Sequence, residues 1–417
     1  MSPRRHLALP LAAVILVGLP VFWAFPEDLA FWRSVAIVCG WLGWGLLLVS
    51  LLLMIRESWL AEWMGGLERM YRWHHRSGTL AYLVLLLHPL ALSVDAWSEA
   101  PSLAWPALSP LRNSLAVQLG WASLLAMMLG LALAFSRALA YDKWRWLHLS
   151  LAAAVVLAIL HLVYLGLDDW LLWVPAAAIA LMLWRFLRSD SGQAAHPYVV
   201  TRVDHPAHAL IEVSLRPLAT AITARPGQFV LAAFADAPSW KGFGEYHPFS
   251  LSRIGKDGEI AMGIKALGDC TTRLQHVQCG FAARVQGPFG AFLADAGATP
   301  GLWVAGGIGI TPFLALLRAR PLTQPTRLIY LYRESADAAY IGELNEIAAG
   351  QDSLSLVALA TGASDPDIER LIPDPSGLAG CDCYLCGPPG LLDSVIGILA
   401  ARGVAASRIH FERFDFR

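Results

Sequence analysis

Apolar stretches long enough to cross a lipid bilayer, which takes roughly 20 residues, dominate the first half of the chain. About six are present, near residues 7–25, 34–55, 77–95, 114–136, 146–166 and 170–187. The whole chain is 56% hydrophobic and only 15% charged, whereas about 25% of an ordinary soluble chain is charged. The excess lies in residues 1–188, because residues 196–417 have globular composition. The sequence therefore predicts six transmembrane helices followed by a soluble region.

Basic residues are concentrated on one side of the predicted membrane region. The side shared with the N-terminus holds Arg4, Arg5, Arg56, Arg69, Arg72, Arg76, Arg137, Lys143, Arg145, Arg185 and Arg188, and the opposite side holds only Arg33 and Arg112. Basic loops stay in the cytoplasm, so we expect a multi-pass protein with both termini cytoplasmic. The chain shows no organelle signal, which suggests a bacterial inner membrane. Its net charge of −1 does not indicate a nucleic-acid partner.

Histidines recur at similar spacing in the third and fifth predicted helices. His74 and His88 are 14 residues apart, and His148 and His161 are 13 apart, so each pair spans about 20 Å along its helix. Two facing helices would then present one pair of imidazoles near each membrane face, as two bis-histidine haems require. Ionisable groups are costly in lipid and usually functional there. Haem ligation is therefore favoured over histidines satisfied by backbone carbonyls.

Three details of this region stay open. A 13-residue separation turns His148 and His161 about 220° apart on an ideal helix, which predicts a kink or π-bulge between them. His75 is an alternative to His74, although helical rotation favours His74. Arg112, on the outer side, could attract an anionic acceptor or product, but an arginine that merely snorkels to the interface is the simpler interpretation.

The soluble half contains two patterns after a short linker at residues 189–197. Six short β-type runs between residues 198 and 286 predict an antiparallel barrel. From about residue 300, strands alternate with helices, which predicts a parallel doubly wound sheet. We therefore divide the chain into a transmembrane domain (1–190), a barrel domain (196–296) and an α/β domain (297–417).

Two glycine-rich turns follow strands of the predicted sheet. They read Ala305-Gly306-Gly307-Ile308-Gly309-Ile310-Thr311-Pro312 and Cys386-Gly387-Pro388-Pro389-Gly390. Glycines allow close approach of a pyrophosphate, and the helix that follows favours its charge. In the barrel, His247-Pro248-Phe249-Ser250 places an aromatic ring beside a hydroxyl, a pair suited to an isoalloxazine. The segment from Gly263 to Thr272 would suit a second pyrophosphate.

The order of these motifs resembles that of the NADPH oxidase and ferric reductase family, most closely its minimal bacterial NADPH oxidases. The resemblance covers nearly the whole chain. It rests on the spaced histidines followed by Pro226-Gly227-Gln228-Phe229, His247-Pro248-Phe249-Ser250, Gly287-Pro288-Phe289-Gly290, Gly306–Pro312, Cys386-Gly387-Pro388 and an aromatic-rich C-terminus. It implies a six-helix haem bundle followed by a ferredoxin-reductase-like pair, an FAD-binding barrel and a Rossmann-like nucleotide domain.

The resemblance also implies which residues contact the cofactors. FAD would be contacted by His247, Pro248, Phe249 and Ser250, with Lys265, Gly268 and Thr271 near its phosphates. The nicotinamide nucleotide would lie at Gly307, Gly309, Thr311, Cys386 and Gly387. Phe414 is expected to cover the flavin, with Phe416 as a close rival. Family spacing from Gly78 agrees with His74 as the ligand, and Ser250 stands where many relatives have threonine.

The choice between NADPH and NADH depends on Arg333. It follows the second strand of the sheet, where it could meet a 2′-phosphate, or it could pair with Glu334 or Asp337. We expect NADPH on this basis, with NADH as the alternative.

In the enzymes that the chain resembles, NADPH reduces FAD, and electrons pass through two b-type haems to O2, which yields superoxide on the outer side. Cys386 and Ser250 would position the rings. His74 and His148 would bind the inner haem, and His88 and His161 the outer one. A ferric-chelate reductase, or an electron-transfer module for a periplasmic protein or quinone, is the alternative. We expect activity without a regulatory protein.

Overall fold

The structure is a computed structural model that describes residues 11–12, 14–15, 17–18, 22, 25–134, 141–166, 169–235, 245–362 and 367–412. The chain divides into a helical unit, Met1–Arg56 with Trp63–Ser189, and a soluble unit, Glu57–Glu62 with Asp190–Arg417.

The helical unit is built from helices whose apolar side chains pack against one another. They are α1 (Phe31–Leu52), α3 (Leu67–Glu99), α4 (Ala104–Leu108), α5 (Leu115–Ala134), α6 (Tyr141–Tyr164) and α7 (Trp173–Arg185), while the short helix α2 (Ser58–Met64) is divided between the two units. Helix α1 packs along α3, and α5 packs along α6. Trp44, Ala81, Met127, Ala154 and Ala178 belong to a core that joins both pairs. Alanine and glycine at these contacts let the backbones come close, as in membrane helix pairs.

Three helices among the described residues are long and apolar enough to cross a membrane: α1, α3 and, in α5, Leu115–Leu133. In α6 the apolar part is Ser150–Tyr164, and α7 has 13 residues before a π-turn at Phe186–Asp190. The first predicted span, 7–25, falls mainly outside the described residues. Three of the six predicted spans are thus confirmed by length and composition. The total of six spans remains a prediction.

Of the kink or π-bulge expected between His148 and His161, the π-bulge is wrong. Helix α6, described without a break from Tyr141 to Tyr164, is α-helical throughout. A π-bulge would be needed only if both side chains pointed along one line from the helix. A histidine ring can instead swing about its side-chain torsions to reach a partner, so backbone rotation alone does not decide where the imidazole lies.

The first half of the soluble unit is a closed antiparallel barrel, as predicted. Its strands are β1 (His196–Ala207), β2 (Leu210–Pro217), β3 (Phe229–Ala235), β4 (His247–Ile254), β5 (Ile260–Lys265) and β6 (Ala282–Phe289), with α8 (Asp269–Leu274) after β5. They pair in the order β1-β2-β5-β4-β3-β6. Tyr198, Ile211, Val230, Leu251 and Val285 fill the interior. Closure removes the free edges that an open sheet would expose.

The second half is a five-stranded parallel sheet. Its strands are β7 (Gly301–Gly306), β8 (Thr326–Tyr332), β9 (Leu354–Ala360), β10 (Asp382–Cys386) and β11 (Ile409–Glu412), and its helices are α9 (Thr311–Ala319), α10 (Ile341–Ala349), α11 (Ile368–Leu371) and α12 (Pro389–Ala401). The order is β11-β10-β7-β8-β9. Trp303 and Val304 pack into separate cores on opposite faces of the sheet. Strand order reverses beside β7, so a crevice opens at the carboxyl ends of β7 and β10.

A buried ion network ties the sheet to the barrel within the soluble unit. The Arg318 guanidinium on α9 donates to both Glu343 carboxylate oxygens at 2.7 Å and to Glu212 Oε1 on β2 at 2.7 Å. The side chains of Arg318 and Glu212 are only 15% and 6% exposed. Burial opposes the charge, but the hydrogen bonds and charges of Glu343 and Glu212 outweigh it and raise the pKa of Arg318.

We predict that Glu212→Gln will destabilise the protein by about 3 kcal/mol, because breaking a buried pair leaves charge without its full compensation. For a unit of this size the thermal unfolding midpoint should fall by roughly 6–12 °C, at about 2–4 °C per kcal/mol. The measurement is a thermal melt of the detergent-solubilised chain. Asp204→Asn, which removes the more exposed Arg202–Asp204 pair at 2.7 Å, is the control and should have little effect. Equal shifts for the two variants would contradict the prediction.

Candidate functional site

Two of the predicted haem ligands face each other in the helical unit. The ring centroids of His74 and His148 lie 6.3 Å apart. A metal–imidazole bond is about 2.0 Å, and the ring centre lies about one further bond length away. Two imidazoles on opposite sides of one iron therefore need centroids on the order of 6 Å apart, and this pair meets that condition. The His75 side chain is exposed, with its ring 5.5 Å from that of His74, so the geometry favours His74.

Three of the four predicted ligands are held by backbone carbonyls of the neighbouring helix. His88 Nδ1 lies 2.7 Å from Ala36 O, His161 Nδ1 lies 2.7 Å from Ala116 O, and His74 Nδ1 lies 3.0 Å from Ser50 O. A carbonyl can only accept, so each Nδ1 carries the proton. The other ring nitrogen then keeps its lone pair for a metal. Ligating histidines are usually fixed in this way.

The two predicted outer ligands, His88 and His161, share one further feature. Gly40 follows Ala36 by one helical turn, and Gly120 follows Ala116 by the same distance. A Cβ atom added at Gly40 would lie 3.2 Å from His88 Nδ1, and one added at Gly120 would lie 3.0 Å from His161 Nδ1. The two helix pairs thus use the same arrangement: a carbonyl acceptor followed by a glycine that leaves room for the ring. Arg112 lies exposed at the end of a short turn, Pro110–Arg112.

The barrel residues predicted to hold FAD lie on or next to two neighbouring strands. Phe249 and Ser250 on β4 are buried, and among the described residues the buried Ser250 hydroxyl has no hydrogen-bond partner. An acceptor atom of a bound flavin would satisfy it. Around the start of α8, Thr271 Oγ1 accepts from the backbone N–H groups of Leu267 and Gly268 at 2.9 and 3.0 Å. The residues present therefore fit a flavin, although Thr271 already shapes its own turn.

Lys265 makes a contact that the sequence did not predict. Its ammonium lies 3.5 Å from Asp337 Oδ1 in the α/β half of the soluble unit. The sequence offers Asp337 as one partner for Arg333. In the described part of the chain Arg333 is exposed and forms no ion pair, which leaves its guanidinium available to a phosphate.

The two glycine-rich turns meet at the crevice between β7 and β10. A Cβ added at Gly309 would lie 2.2 Å from Cys386 O, and one added at Gly387 would lie 3.1 Å from Gly306 Cα. Gly307 has a φ of +54° and nothing within 4 Å of its Cβ position, so this backbone is open to a ligand. Thr311 is buried, and its hydroxyl donates to Ile308 O at 2.7 Å. It therefore closes the turn from within.

Cys386 lies at the end of β10, beside a carboxylate that the sequence analysis missed. It is opposite Glu412 of β11 in the strand register. Burial, and then the charge of Glu412, raises the pKa of the fully buried Cys386 thiol well above its ordinary value. A Cβ added at Gly290 would lie 3.6 Å from Glu412 Oε1 and 3.3 Å from the Phe229 ring, and Phe229 pairs with Ser250. Phe414 and Phe416 lie outside the described residues.

A cluster of metal-binding residue types adjoins the flavin-binding strand. The ligand atoms of Glu245, His247 and Cys270 lie within 4.8 Å of one another. Arg273 already donates to Glu245 Oε2 at 3.2 Å, and burial and Glu245 raise the pKa of Cys270 to about 11. Both features weaken cation binding, so the cluster fits the wall of a cofactor site better than a metal centre.

Three regions of the chain match known families in succession. Residues 39–159 match the ferric reductase like transmembrane component, residues 198–287 an FAD-binding domain, and residues 303–396 an oxidoreductase NAD-binding domain.

Individual relatives among the curated proteins match only part of the chain. The propane 2-monooxygenase reductase component of Mycolicibacterium smegmatis is 27% identical over 237 residues, which cover 52% of this chain and 66% of that protein. Its counterpart in Mycolicibacterium goodii is 30% identical over 33% of this chain and 44% of that protein. The chain thus spans less than two thirds of each. Flavohemoglobin from Malassezia yamatoensis has a TM-score of 0.48 at 18% identity, covering 99% of this chain and 96% of that one.

We predict that Gly309→Ala will lower kcat/KM for NAD(P)H by about 100-fold, because the added methyl must displace the Cys386 carbonyl and a shift of about 1 Å can cost that much. NADPH-dependent ferricyanide reduction by the FAD-supplemented protein measures it. Gly342→Ala, at a position with nothing within 4 Å of the new methyl, is the control. An unchanged kcat/KM in Gly309→Ala would refute the close contact.

We also predict slow alkylation of Cys386. Its raised pKa keeps the thiol protonated at pH 7–9, and only the thiolate reacts. Exposed Cys279 should be modified by N-ethylmaleimide about 100-fold faster at pH 7.5. Mass spectrometry of the peptides over time gives both rates. Comparable rates would show that Cys386 is neither buried nor protonated.

Proposed function

The chain belongs to the NADPH oxidase and ferric reductase family, since a ferric reductase like transmembrane region, an FAD-binding domain and an NAD-binding domain follow one another along it, and we propose that it is a superoxide-forming NADPH oxidase. The more general activity, that of an NAD(P)H-dependent transmembrane oxidoreductase, follows from these domains. The proposal adds two b-type haems, O2 as the acceptor and NADPH as the preferred donor. It places the domain boundaries at 1–190, 196–296 and 297–417.

Haem binding is supported by one observation above all. His74, His88 and His161 each donate Nδ1–H to a carbonyl of the adjacent helix, which leaves Nε2 ready for iron. In lipid no water competes for that proton, so the tautomer is fixed by the fold. His74 with His148 would hold the inner haem, and His88 with His161 the outer one.

Residues of the soluble unit would position the nicotinamide nucleotide, the electron donor, against the flavin. The Ser250 hydroxyl is buried and available, Cys386 stays a neutral thiol, and the Glu412 carboxylate lies beside it. The glycine backbone at Gly307 and Gly309 would accept the nucleotide pyrophosphate, and exposed Arg333 would meet the 2′-phosphate that distinguishes NADPH. When bound, FAD and haem supply the conversion of a two-electron hydride into single electrons that cross the membrane.

The proposed orientation puts the soluble unit in the cytoplasm, where NADPH is made, with Arg112 near the outer surface. Six spans, with α6 and α7 as the last two, would return the chain to that side, and the basic residues at the shared helix ends support it. A bacterial inner membrane fits this arrangement. We propose that the protein is active without a regulatory protein.

We predict that the detergent-purified, FAD-supplemented protein will reduce cytochrome c with NADPH, and that superoxide dismutase will abolish most of that reduction. A dithionite-reduced spectrum recorded in parallel should show b-type haem at two per chain. Reduction that is insensitive to the dismutase would reject O2 in favour of a ferric chelate, quinone or protein acceptor. A preparation with no haem would reject the histidine assignment.

His88→Leu tests the route itself. It should leave one haem, abolish superoxide and preserve NADPH-dependent ferricyanide reduction, because the nucleotide and flavin residues are untouched. His75→Leu is the matched control and should retain both haems. If His75→Leu loses a haem and His74→Leu does not, the inner ligand is His75.

A further inference from the structure

Ser50 makes a contact with a predicted haem ligand that, in the described part of the chain, has no counterpart at the outer site. Its Oγ lies 2.9 Å from His74 Nδ1, in addition to the 3.0 Å contact between its own carbonyl oxygen and the same nitrogen. Among the described residues, the Nδ1 atoms of His88 and His161 each have one acceptor, a carbonyl. The inner ligand therefore has a hydroxyl partner as well as a carbonyl.

The surroundings of Ser50 fix this hydroxyl in place. Ser50 is 5% exposed, and its Oγ also lies 3.4 Å from His74 O. Ser77, one turn further along α3, donates to that same carbonyl at 3.2 Å. A Cβ added at Gly78 would lie 3.2 Å from Ser50 Oγ, so glycine at that position leaves room for the hydroxyl.

We propose that Ser50 is a positioning residue that tunes the inner haem through His74. Its hydroxyl shares the Nδ1 proton with the Ser50 carbonyl and fixes the plane of the imidazole. Withdrawing that proton makes the ring a stronger electron donor to iron, which stabilises the oxidised metal. The hydroxyl thereby lowers the inner haem potential relative to the outer one, which favours onward transfer of each electron. This inference rests on the proposed ligation by His74.

Ser50→Ala removes the hydroxyl and leaves the carbonyl contact. We expect the reduction equilibrium of the inner haem to shift about tenfold toward the reduced form, the same size as the smaller effects that losing such a partner has on metal affinity or activity. For one electron this is about 59 mV. The outer haem should keep its potential. The electron paramagnetic resonance signal of the oxidised inner haem should also shift, because its g values depend on the orientation of the imidazole plane.

The experiment is an anaerobic redox titration of the full detergent-solubilised chain with bound haem, followed by haem absorbance. Titrating His88→Leu, which should retain only the inner haem, assigns the two waves. Ser123→Ala is the matched control, because Ser123 is also a buried bundle serine whose hydroxyl donates to a backbone carbonyl, Ala154 O, at 2.8 Å. Ser50→Thr keeps the hydroxyl and should restore the wild-type inner potential.

A selective shift of the inner wave in Ser50→Ala, reversed in Ser50→Thr, supports the proposal. Selective loss of the inner haem in Ser50→Ala but not in Ser50→Thr also supports it. Unchanged potentials, equal shifts of both waves, the same shift in Ser123→Ala, or loss of the inner haem in both Ser50 variants would overturn it. The titration uses no O2, so a protein that binds two haems without forming superoxide still gives a clear result.

Discussion

A histidine that binds a metal inside a membrane has a second ring nitrogen whose proton must be accepted by the protein, because lipid offers no acceptor. In this chain the Nδ1 protons of three proposed haem ligands go to carbonyl groups of the facing helix, at Ala36, Ala116 and Ser50. The Ala36 and Ala116 carbonyls lie before the last turn of their helices and can use a second lone pair here, whereas Ser50 lies in the last turn of α1, where carbonyls have no partner along the helix. That contact needs the two backbones close together, which explains the glycine one turn beyond each outer acceptor.

The soluble unit also depends on close approach of two backbone segments. At the crevice two turns approach so closely that a side chain at Gly309 would strike the Cys386 carbonyl. Removing side chains from this line of contact exposes peptide N–H groups to a pyrophosphate. The barrel and the sheet are joined by the network around Arg318, whose guanidinium bridges Glu212 and Glu343. The histidine site and the crevice thus both depend on backbone segments that lie close together. A few small residues permit this closeness, and a few buried contacts maintain it.

Much of this was predictable from the sequence, and the failures have identifiable causes. Barrel, parallel sheet and glycine-rich turns follow from local periodicity and turn chemistry, which act over short distances. The contact partners of individual side chains could not be predicted in this way. Lys265 contacts Asp337, Thr311 closes its own turn, and Glu412 lies beside Cys386. Each of these depends on pairing between distant segments. Glu412 was detectable only as a lone acidic residue ending a short strand. The π-bulge prediction failed because backbone rotation does not fix where a ring points.

The register of the helical unit connects these points. His74 and His88 are 14 residues apart on α3, and their acceptors Ser50 and Ala36 are 14 residues apart on α1. Because the two helices run antiparallel, a single register satisfies both histidines at once, and a slip of one residue would misplace both. Local sequence thus sets the spacing of the two histidines, while packing of the facing helix sets which ring nitrogen carries the proton. The two kinds of information meet at Ser50, where a residue needed for its backbone carbonyl also brings a side-chain hydroxyl.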